Sequence, residues 1–283
     1  MMTFLSISIE LTVLFVGVSF LMYLIQGVIP YKKMEKWLKN NHSIFGALIA
    51  VLFAFITPFC SCSTIPIVVH LLNQKIRFAI VMIFLFASPV LDPTILTLMA
   101  ATLGLKVAVA YAIITALFSI LIGFALEILG FEKEVKNVIV KGKAKLPERL
   151  HFRAALHETS QLMKSVYPFL LIGAAIGSLI HEVVPTEWLI TYLGGEQWWL
   201  VPIAAIIGIP LYIRLSTMIP ISHMLISKGM AIAPVMALMI SSAGASLPEV
   251  TLLQSIFKKK LVLAFVVSVI TMSTLSGWLF YVI

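Results

Sequence analysis

Apolar stretches of nearly bilayer length recur from one end of this 283-residue chain to the other. A transmembrane helix needs about 20 mostly apolar residues. In hydrocarbon every backbone N–H and C=O must be satisfied within the protein, which leaves only helices or a closed barrel. Four stretches read as clear helical spans: 7–29, 106–129, 162–181 and 261–282. Four others, 43–73, 77–104, 198–227 and 230–256, are apolar but interrupted. Composition agrees, with 61% hydrophobic and 11% charged residues and a mean hydropathy of +1.09. An ordinary soluble domain has about 45–50% apolar and about 25% charged residues. The expected fold is an all-α polytopic membrane protein. Residues 1–30 lack a basic n-region and a small-residue cleavage site, so they read as a retained first span. The net charge of +8 lies in short loops between spans and gives little reason to expect nucleic acid as a partner.

The chain divides into a first membrane repeat (1–130), a basic linker (131–161) and a second repeat (162–283). The second part of the linker could lie on the membrane surface as an amphipathic helix. "PFCSCSTIPI" (Pro58–Ile67) is echoed by "PLYIRLSTMIPI" (Pro210–Ile221), and "ASPVLDPTIL" (Ala87–Leu96) by "SSAGASLPEVTLL" (Ser241–Leu253). Internal duplication of this kind is common in secondary transporters.

Charge placement selects a topology. If all eight segments cross, Lys and Arg divide 8 to 11 between the two faces. If 43–73 and 198–227 are re-entrant hairpins, one face holds 17 (Lys32–Lys39, Lys75, Arg77, Lys133–Lys164 and Lys258–Lys260) and the other holds Lys106 and Lys228. Only the second arrangement obeys the positive-inside rule. Each half then crosses three times, so the repeats are inverted, both termini lie outside and the linker is cytoplasmic. The hairpin tips, Cys60–Thr64 and Tyr212–Thr217, meet near the bilayer midplane. The segments 77–104 and 230–256 cross fully but are broken at "SPVLDP" and "SAGASLP".

The tip "TPFCSCSTIPI" holds both cysteines of the chain, Cys60 and Cys62, a number that excludes a disulfide framework. Side chains at i and i+2 diverge on a helix but share a side in extended backbone. Pro58 and Pro66 disfavour one continuous helix there. The expectation is an extended tip in which the thiols converge and Ser63 or Thr64 caps the returning helix, with Pro66 in its first turn. The helix dipole would then favour thiolate. The second tip repeats the pattern with Ser216, Thr217 and Pro220. Asp92–Pro93 reads as a cap followed by a first-position proline, and Ser246–Glu249 has capping-box spacing. Up to four helix N-termini would face one central cavity, suited to an anion or a soft centre. The candidate binding residues are thus Cys60, Ser61, Cys62, Ser63, Thr64, Arg214, Ser216 and Thr217. Arg214 is the single basic residue expected deep in the membrane. Asp92, His70, His223 and Ser246 are candidate coupling or cavity residues, although a packed, hydrogen-bonded role suits either histidine and simple capping suits Asp92. Trp188, Trp198 and Trp199 read as interfacial belt. Two thiols fall short of a structural zinc cage, and no resident metal or cofactor is expected.

These motifs together, "PFCSCSTIPI", "ASPVLDP", "GIPLYIRLSTMIPI" and "SAGASLPE", resemble the ArsP-type predicted permeases over nearly the whole chain. The resemblance implies a multi-pass transporter of the cytoplasmic membrane and no enzyme activity. Characterised members export trivalent organoarsenicals such as methylarsenite, and the matching soft ligands here would be Cys60 and Cys62. A permease for a sulfur oxyanion or other small anion is an alternative. A thiol–disulfide oxidoreductase cycling the two cysteines is another, and it lacks a second cysteine pair. No Walker A motif is present, so any ATPase would be a separate partner. A homo-oligomer is also open.

Overall fold

The computed structural model describes residues 43–56, 61–73, 76–136, 197–210 and 229–282, with positions 16, 160, 167, 222–223 and 225–226 besides. Apart from these single positions, the expected spans 7–29 and 162–181 lie outside the described residues. Among the described residues there is no strand, only one isolated bridge between Val135 and Phe257. The helices are α1 (Ser43–Ile56), α2 (Ser61–Asn73), α3 (Phe78–Ala87), α4 (Pro93–Thr102), α5 (Leu105–Ile128), α6 (Leu200–Gly208), α7 (Ile232–Gly244), α8 (Leu247–Ile256) and α9 (Lys259–Leu279). A short 3-10 turn, Phe131–Glu134, follows α5.

Helices α5 and α9 are each long and apolar enough to cross a membrane unaided. Along α5 the residues Leu105, Val109, Ile113, Leu117 and Leu121 recur every four positions and are all exposed, an apolar stripe suited to lipid. By contrast, all ten residues of α3 are buried, as are Ala233–Gly244 of α7. A helix apolar on every side belongs at the centre of a bundle. These two central helices are flanked alike: α3 packs against α1 and α5, and α7 against α6 and α9.

The close contacts also recur. A Cβ on Gly123 of α5 would meet Ile83 and lie 3.0 Å from the Ala79 carbonyl oxygen. A Cβ on Gly277 of α9 would lie 3.0 Å from both the Ala233 carbonyl oxygen and the Ala237 Cβ. Gly277 stands 154 residues after Gly123, and Ala233 and Ala237 stand the same distance after Ala79 and Ile83. In each half a glycine therefore lets the long helix touch the backbone of the central one.

One end of the bundle is charged. Arg77, just before α3, donates from Nε to both carboxylate oxygens of Glu127 near the end of α5, at 3.0 and 2.8 Å. Its guanidinium also lies 5.5 Å from the Phe124 ring centre. At the same end the Lys258 ammonium stands 3.4 Å from the Glu134 carboxylate, and the amides of Lys136 and Lys258 bond the carbonyls of Ile256 and Glu134. The opposite end is aromatic: Trp278 Nε1 donates to the Trp198 carbonyl at 3.0 Å, and the Tyr281 hydroxyl to the Gln197 carbonyl at 3.3 Å. Trp198 and Trp199 are exposed there, as an interfacial belt requires.

Two apolar cores fill the interior, and each takes residues from both halves. One joins α1, α2 and α3 to α8 and α9, with Phe86 stacked on Phe265 at 4.7 Å. The other joins α4 and α5 to α6, α7 and α9 around Tyr111, Met236 and Met272.

Candidate functional site

Helices of ten residues are about 15 Å long, half of the roughly 30 Å hydrocarbon thickness. Starting beside Arg77 at the charged end, α3 therefore reaches about half of that depth, and α4 continues toward the start of α5 at the other end. Helix α8 ends at the charged end through the Ile256–Lys136 bond, so its start also lies near mid-depth. The breaks expected at "SPVLDP" and "SAGASLP" are thus present, as Ser88–Asp92 between α3 and α4 and Ala245–Ser246 between α7 and α8. The second bends its span by 41°. The breaks adjoin, since a Cβ on Gly244 would lie 3.8 Å from Val90 Cγ2.

The caps follow the sequence in part. Asp92 directly precedes α4, with Pro93 as its first residue, and the Asp92 carbonyl accepts the Leu96 N–H at 3.0 Å. Ser246 occupies the N-cap of α8 with Pro248 inside the first turn, but its side chain makes no capping hydrogen bond, so the capping box does not form from that side. Asp92 and Ser246 are 154 residues apart, which aligns the caps themselves. The prolines are offset by one residue, at the first position of α4 and the second of α8.

The cysteine tip departs from expectation. Helix α2 begins at Ser61, so Cys62 and Ser63 are already helical, and Thr64 is its fourth residue and no cap. Pro66 is the sixth residue and lies beyond the first turn. A proline there deletes one bond and crowds the carbonyl four residues back. That carbonyl is Cys62, close to the helix start, where the backbone can yield at low cost. The extended-backbone argument for converging thiols therefore does not apply at Cys62. Cys60 directly precedes the helix and lies outside the described residues, as do Arg214, Ser216 and Thr217.

Thr64 ties the start of α2 to the first break. Its Oγ1 lies 3.3 Å from Ser88 Oγ, and both side chains are fully buried. Helix α2 packs on α3 and, across the halves, on α8. The Cys62-bearing helix start, the α3–α4 break and the beginning of α8 are so brought together. His70 stands near the far end of α2, away from this junction. His223 is exposed, which does not suit the packed role among its alternatives. Asp92 is half-buried and Ser246 is buried.

Sequence reasoning passed over Glu249. It is the third residue of α8 and only 1% exposed, the one acidic or basic residue in the buried set among the described residues. The available signal was an acid inside the apolar run "LPEVTLL", which capping-box spacing explained away. The Arg77–Glu127 pair was also missed. The bond to Glu127 holds the Arg77 guanidinium pKa above its ordinary value. Among the described residues no three His, Cys, Asp or Glu side chains gather as a metal site.

The chain matches the model of the predicted permease family of ArsP type over residues 1–282. Relatives include a UPF0718 protein of Methanocaldococcus jannaschii, 24% identical over 84% of this chain and 80% of its own length. The UPF0718 protein YraQ of Escherichia coli is 24% identical over 84% of this chain and 68% of its own. A protein named as a subunit of a two-component membrane permease complex in Streptococcus mutans is 24% identical over 82% of this chain and 78% of its own. No solved structure matches the chain. With two helices long and apolar enough to cross a membrane, a third, bent pair and a family match over residues 1–282, this chain belongs to the ArsP-type predicted permeases.

Proposed function

We propose that the protein is a secondary transporter whose halves are inverted repeats and which moves a small thiophilic solute, best specified as a trivalent organoarsenical, through a central cavity containing Cys60 and Cys62. The observation that carries this reading is the Thr64–Ser88 contact, which ties the thiol-bearing start of α2 to a break at half-membrane depth. The inverted, re-entrant topology draws support from the charged end. There Arg77, Glu134 and Lys258 share one face, whereas eight simple crossings would put Lys258 opposite Lys133. Helices α1 and α2, of 14 and 13 residues, are each too short to span about 30 Å of hydrocarbon.

Trivalent arsenic bearing one organic group has two positions left for thiolates. A pair of sulfurs binds it while allowing release, as a carrier requires. Directly before the helix, a Cys60 thiolate would gain from the first-turn amides and the positive end of the dipole. The N-termini of α2 and α8 at the same junction also favour the alternative, a small anion such as a sulfur oxyanion. The name of the Streptococcus mutans relative brings a second subunit into the proposal as a partner.

Cys60→Ser and Cys62→Ser, assayed for methylarsenite, arsenite, antimonite and thiosulfate transport in a sensitised host, test the reading. Serine keeps the size but loses the soft donor, so each variant should lose methylarsenite transport selectively. Solute should also protect both thiols from a membrane-permeant maleimide. Undiminished methylarsenite transport by the double variant would refute the thiol site, and a Cys60–Cys62 disulfide formed during turnover would favour the oxidoreductase.

A further inference from the structure

We propose that Glu249 binds and releases a proton during each transport cycle and so couples solute movement to the proton gradient. This rests on the transporter reading above. An acidic side chain inside a membrane costs about 2.5–3.5 kcal/mol even on the lenient insertion scale, and intramembrane ionisable residues mark substrate and proton pathways. Glu249 meets that description: it is 1% exposed, on a helix packed in the interior against α2 and α9.

Two effects of opposite sign act at this position. Burial favours the neutral acid. Its place as the third residue of α8 sets it against the positive end of the helix dipole, which favours the carboxylate. A change in water access at this buried position shifts the balance between the acid and the carboxylate. The neighbouring break provides a place for that change, because α8 is bent by 41° from α7 immediately before it. Glu249 stands seven positions before Ile256, whose carbonyl is bonded by Lys136 at the charged end. The carboxyl thus lies about 10 Å inside that face.

The titratable groups on the elements around it are Cys62 and His70 on α2, and Lys259 and Lys260 on α9. Lys136 bonds the Gln254 carbonyl through its Nζ, and Asp92 lies at the opposite break. The coupling has its place where α8 packs on α2, the helix that carries the start of the proposed solute site. In the step itself the carboxyl O–H bond breaks, the proton passes to water on the open side, and the carboxylate retains the electron pair. A proton from water on the other side restores the acid in the alternate state.

Dicyclohexylcarbodiimide, which attacks protonated carboxyls in apolar surroundings, tests proton binding without any solute. In proteoliposomes, peptide mapping should find wild-type Glu249 modified at about pH 6 and at least about tenfold less at about pH 9. Absent or pH-independent modification would overturn the proposal. With methylarsenite as the probe, Glu249→Gln should abolish flux driven by a pH difference yet keep methylarsenite exchange at equal concentrations. Loss of both in a protein that melts normally, retention of pH-driven flux, or driving of the wild type by sodium in place of protons would each refute coupling. If the wild type moves no methylarsenite, that cargo assignment fails, while the carbodiimide result still decides whether Glu249 takes a proton.

Discussion

Gly277→Ala places a methyl group where α9 has no room for one. The added Cβ would lie 2.6 Å from Val201 Cγ1 and 3.0 Å from both the Ala233 carbonyl oxygen and the Ala237 Cβ. The valine can shift, but Ala233 and Ala237 belong to the buried helix α7, so α7 and α9 must move apart. Overpacking of this kind costs about 1–3 kcal/mol. Gly123→Ala should cost a similar amount, because Ala79 and Ile83 of α3 crowd it in the same way. At about 2–4 °C per kcal/mol, each variant should melt about 2–12 °C below wild type. Tryptophan fluorescence of the purified protein in micelles would follow unfolding, since Trp278 adjoins Gly277. Adding Val201→Ala should recover part of the loss in Gly277→Ala, a coupling of about 0.5–3 kcal/mol, and none in Gly123→Ala. Wild-type melting of Gly277→Ala, or strictly additive losses with Val201→Ala, would refute this contact.

Cysteine labelling in a background without Cys60 and Cys62 should find positions 75 and 141 on the cytoplasmic face and position 196 outside; position 75 opposite to 141 would leave eight simple spans. Arg77→Gln breaks a bidentate pair, but the Arg77 side chain is 46% exposed, so the melting measurement should register about 1 kcal/mol or less. A far larger loss would mean that the charged end is shielded from water. Arg214→Gln should impair transport while leaving insertion and melting intact, and wild-type flux in that variant would assign Arg214 to a structural or snorkelling role.

Much of the fold was legible because the bilayer leaves so few solutions. The expected span 106–129 is α5 shifted by one residue, and 261–282 is α9 within three residues at either end. The breaks were readable from local chemistry, since Asp92–Pro93 and Ser246–Leu247–Pro248 combine cap residues with prolines near a helix start. The first turn of α2 was misread because Pro66 was given too much weight: five residues into a helix, a proline disturbs only the Cys62 carbonyl and leaves the start at Ser61 intact. Contacts between distant residues were beyond reach. Arg77 and Glu127 lie 50 positions apart, and Thr64 and Ser88 lie 24 apart. Their pairing depends on how helices pack, which periodicity in one chain does not encode. Glu249 illustrates a different failure, in which a residue was assigned to the nearest local motif and its burial went unasked.

The ends of α5 and α9 make the two faces of the proposed inverted pair chemically unequal. Phe124 and Glu127 recur 154 residues later as Trp278 and Tyr281, so the same helix positions fasten each half to its neighbours. At the charged end the fastening is a bidentate guanidinium–carboxylate pair, and at the aromatic end it is two hydrogen bonds from neutral donors to backbone carbonyls. Charge-assisted bonds are roughly twice as strong as neutral ones. Exposure to water reduces the worth of such a pair to about 1 kcal/mol or less. On the proposed topology, the cytoplasmic end is thus fastened by an exposed charged pair and the outer end by neutral bonds of similar worth. A difference between the ends of even about 1 kcal/mol would amount to roughly fivefold in population. Moving a carrier from 1:99 to 99:1 between its two states needs about 5.5 kcal/mol of differential binding, so the proposed binding of solute by two thiolates would outweigh any difference of that size.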